Sequence, residues 1–348
     1  MTSSSGLISA LNSSTPHDIV LADGVYDNSV AFENANGHHL YAQHLGGAVF
    51  RSGLVIGGNY GAPGGSVQGV VFDVSNSAKA PEGGIVHTWG PAGARVKVSD
   101  CVFHGNKVVP QGLLTDNSDG LVAQRLQFYD FTNEGIRASD NQLVSYGGAT
   151  AKIDSISDIY VNGVTYSTPG GSNGTAEAGL WIGHPVVNGV HRIKVRNVSW
   201  SGIEVVNNSW DTTFSDLDID MSGPNEYAGV GIYLEHFSYH DVFTNFAIRG
   251  AGAGFNAEWA DPDWGGVAGA HFTTIKNGLI DSAGSTATKR VGVYLDEGTE
   301  STTVTGVVFR NQNSAAIGAY ENVGSNNFDG NNYSGLVAGA PTISTAHP

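Results

Sequence analysis

Gly231-Ile-Tyr-Leu-Glu235, Gly254-Phe-Asn-Ala-Glu258 and Gly292-Val-Tyr-Leu-Asp296 are three copies of one five-residue phrase. In each, a glycine is followed by apolar and polar residues in alternation and then by an acid. Alternation with period two is the signature of a strand with one face buried. The same opening, a small residue before an apolar one, recurs at Gly84, Gly112, Gly135, Gly179, Gly202 and Ala316, with gaps along the whole series of 28, 23, 44, 23, 29, 23, 38 and 24 residues. A second alternating segment precedes most of these anchors, opened by Asn or Asp at Asp100, Asp158, Asn197, Asp216, Asn245 and Asn277. Those acids and amides are expected to sit in turns.

A repeat of roughly 23 residues that carries short strands and Gly/Asn turns is one coil of a solenoid, since each coil can bury its apolar face only by stacking on the next. The expected fold is all-β, a right-handed parallel β-helix with a short N-terminal capping helix. A single domain is read over residues 1–348, with a cap region at 1–17, coils over 18–335 and a tail at 336–348. The longer gaps read as coils with loop excursions.

Composition fits this reading and narrows the function. The chain has 348 residues, 16 Lys+Arg against 32 Asp+Glu, a net charge of −16, and 49 glycines, a glycine share about twice the usual one. Such a charge excludes a nucleic-acid reader driven by phosphate attraction. The single cysteine, Cys101, cannot close an intrachain disulfide and reads as a small core residue. No apolar run approaches the roughly 18 residues of a membrane-spanning helix, and no secretory signal is visible at the N-terminus. An extracellular location, or a phage particle, is expected.

Leu7-Ile-Ser-Ala-Leu-Asn12 reads as a short helix, and Asp18-Ile-Val-Leu-Ala-Asp-Gly-Val-Tyr26 as strand, turn, strand. Together they resemble the cap and first coil of the pectin-lyase-like β-helix superfamily. That resemblance implies fold more than function, because the superfamily holds polysaccharide lyases, glycoside hydrolases, epimerases, phage tailspikes and non-catalytic proteins.

Sorting the anchor strands by offset gives two outward columns. One holds Val86, Leu114, Arg137, Trp181, Glu204, Tyr233, Asn256 and Tyr294, and the other includes Asp116, Glu235, Glu258 and Asp296. Carboxylates one coil apart lie about 5 Å from each other at the backbone, where like charges repel and raise at least one pKa. Three readings compete: a glycosidase acid pair, a Ca2+ site, and acids that splay into solvent. The glycosidase reading takes Glu258 as general acid with Glu235 or Asp296 as its partner. Tyr233, Tyr294, Trp181, Asn256, Trp259, Trp264, Asp261, Glu204, His236 and His184 are its candidate sugar-binding residues. His87 falls at an inward offset and reads as a core histidine.

The polygalacturonase-type enzymes also place acids on neighbouring coils, but their Asn-Thr-Asp, Asp-Asp and Gly-His-Gly signatures are absent here. An acidic groove repels anionic polymers unless a metal intervenes. The sequence therefore favours hydrolysis or intramolecular transfer on a neutral or weakly charged polysaccharide or oligosaccharide. On that reading no cofactor is required, with Ca2+ as an option, and the protein is a monomer or homotrimer without nucleic-acid or membrane partners. The alternatives are a Ca2+-dependent polysaccharide lyase or epimerase, and a glycan-binding tailspike or adhesin.

Overall fold

The computed structural model describes residues 1–57, 64–89, 95–116, 119–138, 148, 151–165, 178–222, 229–236, 238–258, 269–320 and 324–345. These fall into two compact units, one built from described residues at 1–138 and 151–165, the other from 178–345. Each is a stack of short strands in which every pairing between successive coils is parallel.

The first unit opens with the helix Ser4–Leu11, capped by the Ser3 hydroxyl, which accepts the Gly6 N–H at 3.2 Å. Leu7 and Leu11 are buried beneath it, so the helix closes an apolar core that the first coil would leave open. One face of this unit stacks Asp18–Leu21, His39–Ala42, Gly65–Gln68, Val96–Ser99, Val122–Phe131 and Ser155–Val164. The other stacks Phe32–Asn34, Leu54–Ile56, Gly84–Trp89, Gln111–Asp116 and Glu134–Ala138. Between them runs an aromatic ladder: Tyr26, Phe50, Phe72, Phe103 and Phe128 follow one another at centroid distances of 5.4, 5.3, 5.0 and 4.7 Å. Cys101 is buried in this core, as expected, and burial pushes its thiol up to about 12.

In the second unit the long strands Val190–Val198, Thr213–Asp220, Val242–Arg249 and Thr274–Asp281 form one face. The anchor strands Ala178–Ile182, Ser201–Val205, Val230–Leu234, Ala253–Ala257, Val291–Leu295 and Ala315–Ala319 form the other. The small anchor residue has a steric cause. A Cβ on Gly254 would lie 2.5 Å from the Gly292 carbonyl oxygen and 2.6 Å from the Ile280 side chain, so the coil turns its corner against both the core and its neighbour.

Two expectations change. Of the Asn/Asp residues thought to open the second strand, Asp158, Asp216, Asn245 and Asn277 instead lie in mid-strand, whereas Asp100 sits in the bend between Val96–Ser99 and Val102–His104, as a turn residue should; all have left-handed backbone. Asp100, Asp158, Asp216, Asn245 and Asn277 have φ between 54° and 57°, and Arg125 and Arg192 hold the same place at 53° and 55°. Asn197 belongs to a different bend, five residues after Arg192, with φ 53°. Side chains that bond their own backbone tolerate this region best, and the arginine exception in the first unit has a compensation: Arg125 Nη2 donates to Asp100 Oδ2 at 2.8 Å. The second change is a one-residue slip at Gly84–Trp89, where Val86 pairs with Leu113 and His87 with Leu114. Val86 is therefore the core residue, and His87 joins the column of Leu114 and Arg137. Ile85 and Val86 are both apolar, so alternation alone could not set the phase there.

Two buried carboxyls sit outside the apolar core. Asp241 accepts the Thr212 N–H at 2.9 Å and the Ser238 hydroxyl at 2.8 Å; Glu134 lies beside Gln111 and Arg137. Burial pushes each up to about 7 despite those partners.

Because both folded values exceed the ordinary carboxylate value near 4, the folded protein binds more protons between about pH 4 and 7. Stability from these groups is full below pH 4 and lost as pH rises through 7. The melting temperature is expected to fall between pH 5 and pH 8, and Glu134→Gln should reduce that fall. At the left-handed bend, Asn245→Val should cost ~1–2 kcal/mol by denaturant unfolding, and Asn245→Gly should be close to neutral.

Candidate functional site

The outward column of the second unit is continuous. Trp181, Glu204, Tyr233, Asn256, Tyr294 and Gly318 pair in succession across six strands, in the register read from the sequence. The ladder continues one residue beyond the strand ends: the N–H groups of Glu235, Glu258 and Asp296 donate to Val205, Leu234 and Ala257 carbonyls at 2.9, 2.9 and 3.2 Å. All three acids thus follow the same place in consecutive coils.

Their side chains divide two and one. His236 lies between the first two, with Nδ1 3.0 Å from Glu258 Oε2 and Nε2 3.6 Å from Glu235 Oε1. The imidazole is 2% exposed, against 23% for Glu235 and 20% for Glu258, so the carboxylates reach the surface and the ring lies beneath them. Burial raises the Glu235 carboxyl to about 7; the neighbouring Glu258 charge adds to the rise and His236 opposes it. Tyr233 donates its hydroxyl to Glu258, and burial together with the charges of Glu258, Glu235 and Glu204 pushes its pKa far above the usual phenol value. Asp296 turns instead to Tyr294, whose pKa is likewise raised by burial and by that carboxylate. Asp296 Oδ1 also accepts the Glu297 N–H at 2.8 Å.

Around this cluster, Asn256 is half-buried between Tyr233 and Tyr294, and Tyr294 is buried. Glu204 is buried, with the Ser201 hydroxyl donating to it at 3.1 Å, so it is not the open carboxylate its column implied. Trp181 is half-buried beside it in register. His184 is buried, six residues before the long strand that begins at residue 190, and stands outside the Glu235, His236 and Glu258 cluster. Trp259, Asp261 and Trp264 lie outside the described residues. Gly269, next in the described chain, donates its N–H to the Glu258 carbonyl at 2.9 Å, and a Cβ there would sit 1.9 Å from the Leu234 oxygen. The return of the chain against Glu258 requires glycine.

Glu235, His236 and Glu258 each offer one ligand atom, all within 4.8 Å of one another. Two carboxylates suit a divalent cation, and the imidazole nitrogen suits Mn2+ or Zn2+ better than Ca2+. The sequence missed His236 as the hub of the cluster, because alternation beyond the end of a strand says nothing of where the next side chain turns. It missed the acid of Glu134 altogether, although Gly135 marks the adjoining anchor.

No family model matches the chain, and no curated protein matches it in sequence. Solved structures do match in fold. A PL6 alginate lyase in complex with a trisaccharide aligns over 98% of this chain and 84% of its own, at 13% identity and a TM-score of 0.57. The alginate lyase AlyF-OU02 aligns over 93% and 79%, at 13% identity and 0.56. PfbA, a surface adhesin of Streptococcus pneumoniae, aligns over 96% and 87%, at 13% identity and 0.53. The chain therefore has the parallel β-helix fold, as the sequence indicated. The glycoside hydrolase type expected from the acid column is overturned: these neighbours are polysaccharide lyases and an adhesin. Among the described residues no helix is long and apolar enough to cross a membrane.

Glu258→Gln removes a repelling charge from Glu235 while keeping the side-chain shape. The Glu235 carboxyl should then titrate at lower pH, as read from its side-chain carbon shift by NMR; an unchanged midpoint would mean that burial alone sets it.

Proposed function

We propose that the chain is a divalent-cation-assisted polysaccharide lyase acting outside the cell on a uronate-containing glycan. The observation that carries this reading is the convergence of Glu235, His236 and Glu258 ligand atoms within 4.8 Å on the outward column of a β-helix, in a fold shared with alginate lyases. Lyase cleavage needs the uronate carboxylate neutralised, the C5 proton removed and the leaving oxygen at C4 protonated. An acidic groove cannot meet the first need with its own charge. A divalent cation held by Glu235, Glu258 and His236 would supply the positive charge that screens the uronate and acidifies C5.

The tyrosines take the proton steps. Tyr233 keeps its proton across the physiological range because the half-buried phenol is desolvated and lies in the field of three carboxylates, so it serves as donor to the departing oxygen. One strand beyond Asn256, Tyr294 is paired with Asp296, and that pair accepts the C5 proton, the phenol passing it to the carboxylate. Asn256, between the two tyrosines in register, supplies an amide for the sugar hydroxyls. A return of the proton to the opposite face of C5 would make the same site an epimerase.

Alginate, pectate and other polyuronates should yield unsaturated ends that absorb near 235 nm. Chelation should abolish the signal, with Ca2+, Mn2+ and Zn2+ each tested for its return. Tyr233→Phe should lower kcat by roughly 10²–10⁴-fold with little change in KM, and Glu258→Gln should abolish cation dependence along with activity. Reducing ends without absorbance, or binding without any product, would sink the lyase reading.

A further inference from the structure

The first unit carries a second cluster of ligand-type side chains, on its own anchor face. His87 lies in the strand Gly84–Trp89, Asp116 ends the neighbouring strand Gln111–Asp116, and Glu82 sits in the turn Pro81–Gly83 just before His87. The register that pairs His87 with Leu114 puts Asp116 two residues further along, on the same side of the sheet. His87 Nε2 is 3.1 Å from Asp116 Oδ2, and Nδ1 is 3.7 Å from Glu82 Oε2. One ligand atom from each residue falls within 4.8 Å of the other two.

The burial pattern argues for more than a chance grouping. The His87 side chain is 2% exposed, while Asp116 is 33% and Glu82 63% exposed. A neutral imidazole has one donor and one acceptor nitrogen, yet here each nitrogen faces a carboxylate oxygen. The buried ring thus points both nitrogens at carboxylate oxygens, and the three side chains present one nitrogen and two oxygens to a common point. The cluster at Glu235, His236 and Glu258 likewise joins one histidine to two carboxylates.

We propose that Glu82, His87 and Asp116 form a second divalent metal site, selective for a borderline d-block cation such as Zn2+ or Mn2+ over Ca2+. One nitrogen and two carboxylate oxygens make a three-ligand set, and the exposure of Glu82 and Asp116 leaves the remaining position open to water or to a ligand from solution. The nitrogen donor disfavours Ca2+, which takes six to eight oxygens. This site does not depend on the lyase reading, since its residues belong to the first unit.

The test is calorimetric titration of the full chain, freed of metal by chelation and dialysis, with Zn2+, Mn2+ and Ca2+ separately. Two classes of Zn2+ site are expected in the unaltered protein. Glu82→Gln, at an exposed turn position that leaves the strands intact, should weaken one class by at least roughly 10–100-fold, and Asp116→Asn should do the same. Glu258→Gln should weaken only the other class, so that failure of one site is separable from failure of the other. Co2+ in place of Zn2+ should give visible absorption bands, part of which is lost in His87→Asn. Circular dichroism of each variant separates lost binding from lost folding. A Zn2+ isotherm left unchanged by Glu82→Gln and Asp116→Asn in folded protein overturns the proposal, as does Ca2+ binding to this class more tightly than Zn2+.

Discussion

The hydrogen-bond ladder between successive coils is the constraint on which everything else here depends. Parallel pairing at about 4.8 Å obliges like positions to stack on like positions, so whatever one coil places at a given offset, the next must tolerate at van der Waals distance. In the core this turns phenylalanines into a column, with Phe72, Phe103 and Phe128 at 5.0 and 4.7 Å. At the corner it demands a residue without a side chain, as at Gly254. On the outer face it brings Glu235 and Glu258 together, a placement that two free carboxylates in water would not choose.

The structure relieves that repulsion locally. A buried imidazole lies beneath Glu235 and Glu258, a tyrosine hydroxyl bonds Glu258, and Glu235 binds its proton more tightly than an ordinary carboxyl. Asp296, one coil further, leaves the group for Tyr294. The result is a polarised patch on the outer face, with concentrated negative charge at one point and protonated phenols beside it. The lyase proposal uses that arrangement for cation-assisted proton transfer at a uronate, whereas a glycosidase needs one acid and one base on opposite sides of a single bond.

The clusters of the two units share a logic. In each, a histidine too buried to meet solvent is faced by two carboxylates that do meet it. Repetition of a coil duplicates not only the core but also the opportunities at its surface, because a residue pair that works on one pair of adjacent strands can arise on another.

The repeat, the strand phase and the outward column from Trp181 to Tyr294 were legible in the sequence, because period-two alternation and a recurring small residue report directly on which face of a strand is buried. The cap helix was legible from a different spacing: Leu7 and Leu11, four residues apart, lie on one side of a helix and are buried. Where adjacent residues are both apolar, as at Ile85 and Val86, alternation loses its phase, and His87 was misplaced by one position. The left-handed bends at Asp216, Asn245 and Asn277 were visible as a recurring residue type, but their place inside a strand was not, because Arg192 shows that composition alone does not define it. Only the tertiary structure decided that His236 folds under Glu235 and Glu258, that Glu204 is covered and that Asp296 turns away. For His236 and Asp296 the outcome depends on side-chain directions past the strand ends, where the ladder no longer dictates orientation; for Glu204, inside its strand, it depends on what covers the outward face.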